Sequence, residues 1–278
     1  DGIIKKLYVT GCLSERYKDD LKTDIPEVDG FYGTRDLPEL LKNFEAKYRN
    51  ELLGDRIITT DSHYAYLKIS EGCDRPCSFC AIPLMRGRHI SKPIDQIILE
   101  AKNLVRNGVR EIMLIAQDST YYGIDIYKKR AMSELLKKLS DVEDLDWIRI
   151  HYAYPAGFPM DIIEVMRERD NICNYLDIPL QHGSTNMLKV MKRGITREKT
   201  DELIKNIRDI NPEIALRTTL IAGHPGETDK DFQEMYDFVE RSRFDRLGIF
   251  TYSHEEGTSA HKLQDNVPEQ VKRSRSNS

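Results

Sequence analysis

Six short apolar runs, at 64–69, 111–116, 147–152, 175–179, 214–222 and 246–252, recur along the chain with helix-like stretches between them. Runs this short, apolar on most positions, read as parallel strands buried on both faces. The helices are equally legible. At 93–105, Ile94, Ile97, Ile98, Ala101, Leu104 and Val105 form one stripe, with Ser91 ahead of it and Gly108 where a C-terminal cap belongs. Thr196 opens a second helix, with Leu203, Ile204, Ile207 and Ile210 as its buried face and Asn211-Pro212 as its stop. A third spans 229–241. Strand and helix alternating through short connections imply a parallel sheet, either doubly wound or curled into a barrel. In both, ligands bind at the carboxyl ends of the strands.

Polar clusters stand at those ends. The first run is followed by Cys73-Asp-Arg-Pro-Cys77-Ser-Phe-Cys80, the second by Gln117-Asp118-Ser-Thr, the third by Tyr154-Pro155 and the fourth by Gln181-His182-Gly183-Ser184. Gly223-His-Pro-Gly-Glu-Thr228 and Ser253-His-Glu-Glu-Gly-Thr258 follow the fifth and sixth. Six clusters after six strands are expected to share one mouth. Three thiols within eight residues are a metal or cluster site first. Structural zinc needs a fourth ligand, for which His63 and His89 are candidates. A four-iron cluster on three cysteines instead leaves one iron open to a small molecule, and S-adenosylmethionine (SAM) is a cofactor whose radical chemistry uses iron–sulfur centres.

Composition narrows the setting. Of 278 residues, 42 are basic and 46 acidic, so no overall field marks a nucleic-acid binder. The apolar runs are too short to span a bilayer and the N-terminus has no signal-peptide layout, which points to the cytoplasm and to no membrane partner. Five cysteines, three of them bunched, suit thiolate ligands in a reducing compartment better than disulfides. Residues 1–60 open on a strand-like run ending at Thr10, turn at Gly11-Cys12 and continue with a helix at 38–48 that Asp36 can cap. Cys12 reads by itself as a small buried hydrophobe. The tail from Val271 is polar and unpatterned, so 263–278 is expected to be a linker or an appended Ser/Arg scar on a piece of a longer protein.

CxxxCxxC with an aromatic residue before its last cysteine, at the end of the first strand of a six-fold βα repeat, resembles the radical SAM superfamily. The resemblance implies a partial (β/α)6 TIM-like barrel at 61–262. It further implies a [4Fe–4S] cluster on Cys73, Cys77 and Cys80, with SAM chelating the fourth iron and cleaved reductively to a 5′-deoxyadenosyl radical. The stretch 71–83 with Arg86-Gly-Arg88, together with Leu180-Gln-His-Gly-Ser184, Leu188-Lys-Val-Met-Lys-Arg193-Gly and Tyr252-Ser-His-Glu-Glu-Gly257, is similar to the methylthiotransferases. Ala116-Gln-Asp-Ser119, His151-Tyr-Ala-Tyr-Pro155 and Asp177-Ile-Pro-Leu-Gln-His182 resemble the RimO branch. That branch methylthiolates the β-carbon of an aspartate in a small-subunit ribosomal protein.

An electron donor such as flavodoxin or ferredoxin is implied as a partner. Val9-Thr-Gly-Cys12-Leu resembles the surroundings of one of three N-terminal cysteines that hold a second [4Fe–4S] cluster in full-length members, making Cys12 a candidate ligand. The other two cysteines and the C-terminal TRAM domain, through which nucleic acid could be met, lie outside this chain. Two alternatives stand beside this reading: the same chemistry on tRNA N6-isopentenyladenosine, and a zinc-stabilised binding module without catalysis.

The resemblance assigns cofactor contacts residue by residue. Arg193 would grip the SAM carboxylate, against the simpler reading of a solvated helix-end arginine. Gln181 would bond the ribose or methionine part, Phe79 would touch adenine, and Gly223 with Thr219 would run along the adenosyl group. Asp118 either accepts from the SAM ammonium or caps a turn. His151, His182, His224 and His254 read as hydrogen-bonded structural histidines, and Glu255 and Glu256 as loop carboxylates. Arg86 and Arg88 are solvated or meet an acidic substrate loop.

Overall fold

The computed structural model describes residues 3–45 and 56–278. A small N-terminal unit comes first. Strand β1 (Tyr8–Thr10) leads through helices α1 (Cys12–Arg16) and α2 (Lys18–Asp24) to β2 (Gly30–Tyr32), which pairs with β1 in parallel, and α3 (Leu37–Lys42) follows. The helix expected at 38–48 begins after Asp36, whose side chain makes no cap bond, and ends at Lys42 with 43–45 in a turn; 46–48 lie outside the described residues.

The barrel part runs through β3 (Tyr64–Lys68), β4 (Ser70–Glu71), α4 (Ile82–Arg86), β5 (Ile90–Ser91), α5 (Ile94–Arg106), β6 (Glu111–Ile115), α6 (Ile124–Tyr127), α7 (Met132–Ser140) and β7 (Trp147–Ile150). It continues through α8 (Asp161–Glu168), β8 (Ile172–Asp177), α9 (Thr185–Val190), α10 (Arg197–Ile210), β9 (Ala215–Ala222), α11 (Asp229–Ser242), β10 (Arg246–Thr251) and α12 (Glu269–Ser276). Among the described residues, no helix is long and apolar enough to cross a membrane.

Six strands form one wholly parallel sheet in the order β3-β6-β7-β8-β9-β10. Unbroken chain order decides between the two topologies the sequence left open, because a doubly wound sheet must reverse direction at a switch point. No pairing joins β3 to β10 among the described residues, so the barrel is partial. β8 starts at Ile172, three residues before the expected run, and β7 ends at Ile150.

β3 and β9 are buried on one face only, and β10 has no buried residue. In β9, Leu216, Thr218, Leu220 and Ala222 are buried, alternating with half-buried Arg217, Thr219 and Ile221. β3 behaves likewise, with Ala65 and Leu67 inside and Tyr66 and Lys68 exposed. This corrects the expectation of strands buried on both faces: helices cover the outer face, while the inner face lines a lumen that side chains do not fill.

The helices form for reasons the sequence shows. Ile94, Ile97, Ala101 and Leu104 of α5 are buried against the sheet, and the chain turns off at Gly108, in the left-handed region at φ +97°. Thr196 caps α10 by accepting from Lys199 N, and Thr228 with Asp231 closes a capping box on α11.

The C-terminal tail holds a helix. Helix α12 packs on β9 and β10, with Lys272 and Arg275 buried. Their stems cover apolar surface while their heads are paired. Lys272 meets Asp265 at 2.6 Å; Arg275 donates to Glu227 Oε1 at 2.7 Å and to Asp229 Oδ1 at 2.6 Å. A helix buried through its cations leaves no hydrophobic pattern, which is why its sequence reads as unstructured. Glu227 is fully buried and also accepts from Gly223 N. Arg275→Ala should therefore strand that carboxylate and cost about 3–5 kcal/mol, read as a lower urea midpoint; an unchanged midpoint would show α12 to be dispensable.

Candidate functional site

The cysteine loop is pinned before anything binds to it. Gly72 sits at φ +82°, and a Cβ there would lie 2.1 Å from the Arg88 carbonyl oxygen, so only glycine allows the chain to turn into Cys73. The β4–β5 ladder closes the base of the loop, and Cys73 N donates to Gly87 O at 3.1 Å. Farther along, Ser78 N donates to Met191 O, and Ser78 O accepts from Ala260 N. The N-terminal unit clamps the outside: Arg35 donates to the Arg86 and Arg88 carbonyls, and Arg16 and Tyr17 reach Glu255 and Glu256.

Cys73, Cys77 and Cys80 line one wall of a cavity of about 420 Å³ at the carboxyl ends of the strands. All six strands contribute. The chain after β6 supplies Gln117, the chain after β7 Tyr152 and Tyr154, and the chain after β8 Pro179 and Gln181; β9 gives Arg217 and Thr219, and β10 gives Phe250. Gln181 is held at φ +76° by a bridge to β9, its N donating to Thr219 O and its O accepting from Ile221 N. A non-glycine residue in that region is strained, and here ladder bonds on both sides enforce it.

Arginines set the electrostatics. Arg75, Arg193 and Arg217 line the cavity, and no Asp or Glu does among the described residues. Arg193 is buried; it donates to Pro179 O at 2.6 Å and to Cys77 Sγ at 3.1 Å. Arg75 donates to Asp118 Oδ2 at 2.7 Å. Both guanidinium carbons lie over the Tyr154 ring, at 4.0 Å for Arg75 and 4.3 Å for Arg193, a cation–π geometry. The Tyr154 hydroxyl donates to Arg193 O at 2.7 Å, and burial pushes it up to about 12. Burial, with the Asp118 carboxylate adding to it, pushes the Cys73 thiol up to about 11, so a metal taken up there displaces a proton. Burial would raise the Asp177 carboxyl, but the neighbouring His151 ring and the hydrogen bond from Arg217 outweigh it and hold the group low.

Phe79, Gln181, Arg193 and Thr219 stand on the cavity wall. Asp118 and Gly223 do not. Asp118 caps the short 3-10 turn after β6, accepting from Thr120 N and Oγ1 through one oxygen and from Arg75 through the other. Gly223, at φ +79°, lets α12 approach, since a Cβ there would lie 2.2 Å from Lys272 Cγ. The last two polar clusters turn from the mouth toward α12 and the N-terminal unit. Cys12 starts α1 beside Arg86 and off the cavity wall. Arg86 pairs with Glu71 at 2.7 Å.

Two of the histidines are tied into the structure: His182 bridges Glu227 and Ser184 N, and His224 meets Ser78 and Pro225 O. Arg75 and Arg217 were given no role by sequence reasoning, and Gln117 was placed in a mouth cluster without one. Arg75 lay in plain view between the first two cysteines, and its role depends on Tyr154 and Asp118, which only folding brings to it.

The donor set fits a cluster with a polar ligand better than a single ion. Among the described residues, no three Cys, His, Asp or Glu side chains are grouped to hold one metal ion, whereas a cluster presents a different iron to each thiolate. His63 stands at the opposite end of β3, and His89 is engaged with Ser91 Oγ at 3.0 Å, so zinc finds no fourth ligand on the wall. Three buried polar atoms of wall residues have no partner among the described residues: Arg75 Nη2, Gln117 Oε1 and Arg193 Nε. Buried groups of this kind call for a ligand.

Residues 67–239 match the model of the radical SAM superfamily. Over 275 residues, 99% of this chain, the sequence is 61% identical to a protein of Cytophaga hutchinsonii named ribosomal protein uS12 methylthiotransferase RimO, of which it spans 63%. A Flavobacterium psychrophilum protein of the same name is 59% identical, with 99% of this chain and 64% of that one aligned. The chain thus spans under two thirds of these relatives' length. Coproporphyrinogen III oxidase HemN from Escherichia coli, a radical SAM enzyme, superposes with a TM-score of 0.57 at 22% identity, covering 76% of this chain and 50% of that one. At that identity the likeness concerns the fold alone.

The capping and pairing of Asp118 give it a structural task. Asp118→Ala should cost about 3–5 kcal/mol, because Arg75 loses its carboxylate in a partly buried site. Thermal unfolding checks this. A variant as stable as the parent that had lost only ligand affinity would return Asp118 to the cavity.

Proposed function

The chain belongs to the radical SAM superfamily, and from that premise we propose that it is the catalytic core of a methylthiotransferase of the RimO type. The reaction places a methylthio group on the β-carbon of an aspartate in a small-subunit ribosomal protein. One observation carries the reading: 61% identity over 99% of the chain to a protein named for that activity. The wall of three thiols under three guanidinium groups supports it. The work is assigned to the cytoplasm, beside the ribosome, with flavodoxin or ferredoxin as electron donor. Residues 1–60 are read as the end of an N-terminal cluster domain to which Cys12 belongs, and 61–262 as the radical SAM core.

Cys73, Cys77 and Cys80 would hold the [4Fe–4S] cluster, and the pinned loop fixes their spacing without it. When bound, the cluster and SAM supply reductive cleavage and the hydrogen abstraction that follows. The chain's own residues orient and enclose. Arg193 offers its unpartnered Nε toward a carboxylate, and Gln117 Oε1 offers an acceptor to an ammonium, the task first given to Asp118. Gln181, Thr219 and Phe79 contribute polar and apolar wall around the same ligand.

Full-length protein reconstituted anaerobically with iron and sulfide should carry about four irons on these cysteines and release 5′-deoxyadenosine from SAM when reduced. A triple Cys→Ala variant at 73, 77 and 80 should do neither; retained SAM cleavage in it would sink the assignment. In cells lacking the gene, mass spectrometry should find the methylthio group missing from the ribosomal protein. Its loss from tRNA alone would assign the isopentenyladenosine reaction instead.

A further inference from the structure

Of the three guanidinium groups on the cavity wall, two are held deep inside it, each with one buried nitrogen left without a partner among the described residues. Arg193 spans Cys77 and Pro179 in a buried position, and Arg75 is tied to Asp118 and stacked on Tyr154. Arg217 differs. It projects from the inner face of β9 with its side chain 35% exposed, and only Nη1 has a partner, Asp177 Oδ1 at 2.6 Å. The rest of its fork has no protein partner among the described residues. Asp177 is wholly buried and also receives Tyr152 N at 3.4 Å, with His151 Nδ1 at 3.8 Å, so the anchor under the guanidinium is fixed from several sides. Tyr152 and Phe250 share this cavity wall and are 47% and 60% exposed, large rings left uncovered where the lumen opens.

Resting on the methylthiotransferase reading, we propose that Arg217 recognises the carboxylate of the target aspartate, presented on a peptide loop that enters past Tyr152 and Phe250. A guanidinium fork matches a carboxylate in shape and charge, and one held by a buried partner is oriented before the substrate arrives. A wall with three guanidinium groups and, among the described residues, no carboxylate favours an anionic side chain over a neutral one. Gripping the carboxylate also places the adjoining β-carbon, one bond away, where the reaction takes place. Arg217 thereby acts as a specificity-determining residue, and the exposed rings supply apolar contact for the loop around the aspartate.

The test is binding of two fluorescent peptides to full-length, cluster-loaded protein with SAM present. One peptide spans the target aspartate of uS12; the other carries asparagine there. The parent should prefer aspartate by about tenfold or more. Arg217→Gln should bring the ratio to near one, and Arg217→Lys, a point charge without the fork, should leave part of it. Because Arg217→Gln strands the buried Asp177, the double variant Arg217→Gln/Asp177→Asn removes both charges together and should also lose the preference. A ratio retained in either neutral variant overturns the assignment while leaving the methylthiotransferase reading intact, as does a parent that binds both peptides equally. A parent that binds neither peptide removes the reading and the assignment together.

Discussion

Six strands hydrogen-bonded in parallel and in unbroken chain order are the constraint on which everything else rests. Parallel pairing forces each connection to cross the sheet, and the connections carry amphipathic helices whose apolar faces need a surface. Because the order never reverses, the helices gather on one side and every carboxyl end opens at the same rim. The loops at that rim carry the cysteines, Arg75 and Arg193 and a strained glutamine, while those after β9 and β10 pack against α12 and the N-terminal unit. The inner face of the sheet stays uncovered, and this produces both the half-exposed pattern of β3 and β9 and the cavity.

That cavity keeps three like charges within one wall. Their mutual repulsion is met by partners around them: Asp118 for Arg75, Asp177 for Arg217, and for Arg193 a carbonyl, a thiol and the face of Tyr154. The acids stand behind the arginines and off the cavity wall, so the surface offered to a ligand is cationic although the chain as a whole is slightly acidic. A local field of this kind does not appear in a net charge.

Much of this was legible in the sequence, for identifiable reasons. Burial of one helix face repeats every three to four residues, so α5 and α10 announced themselves through Ile97 and Ile207. The cysteine spacing was legible because metal chemistry restricts residue type. Helix α12 was illegible because its buried positions are Lys272 and Arg275, whose partners Asp265, Glu227 and Asp229 are paired with them only by folding. Asp118 was ambiguous because a cap and a ligand acceptor use the same carboxylate. The reading of Gly223 as a ligand contact missed that its open side is taken by Lys272.

The sequence by itself determined the alternation of strand and helix, the place of each polar loop at a strand end, and the three thiols, since these follow from local periodicity and from the chemistry a residue type permits. Only the tertiary structure decided that the sheet runs in chain order and curls without closing. It also decided which loop residues turn inward, and that Arg75, Arg193 and Arg217 meet on one wall. Those outcomes depend on contacts between residues far apart in the chain, whose geometry no local pattern records.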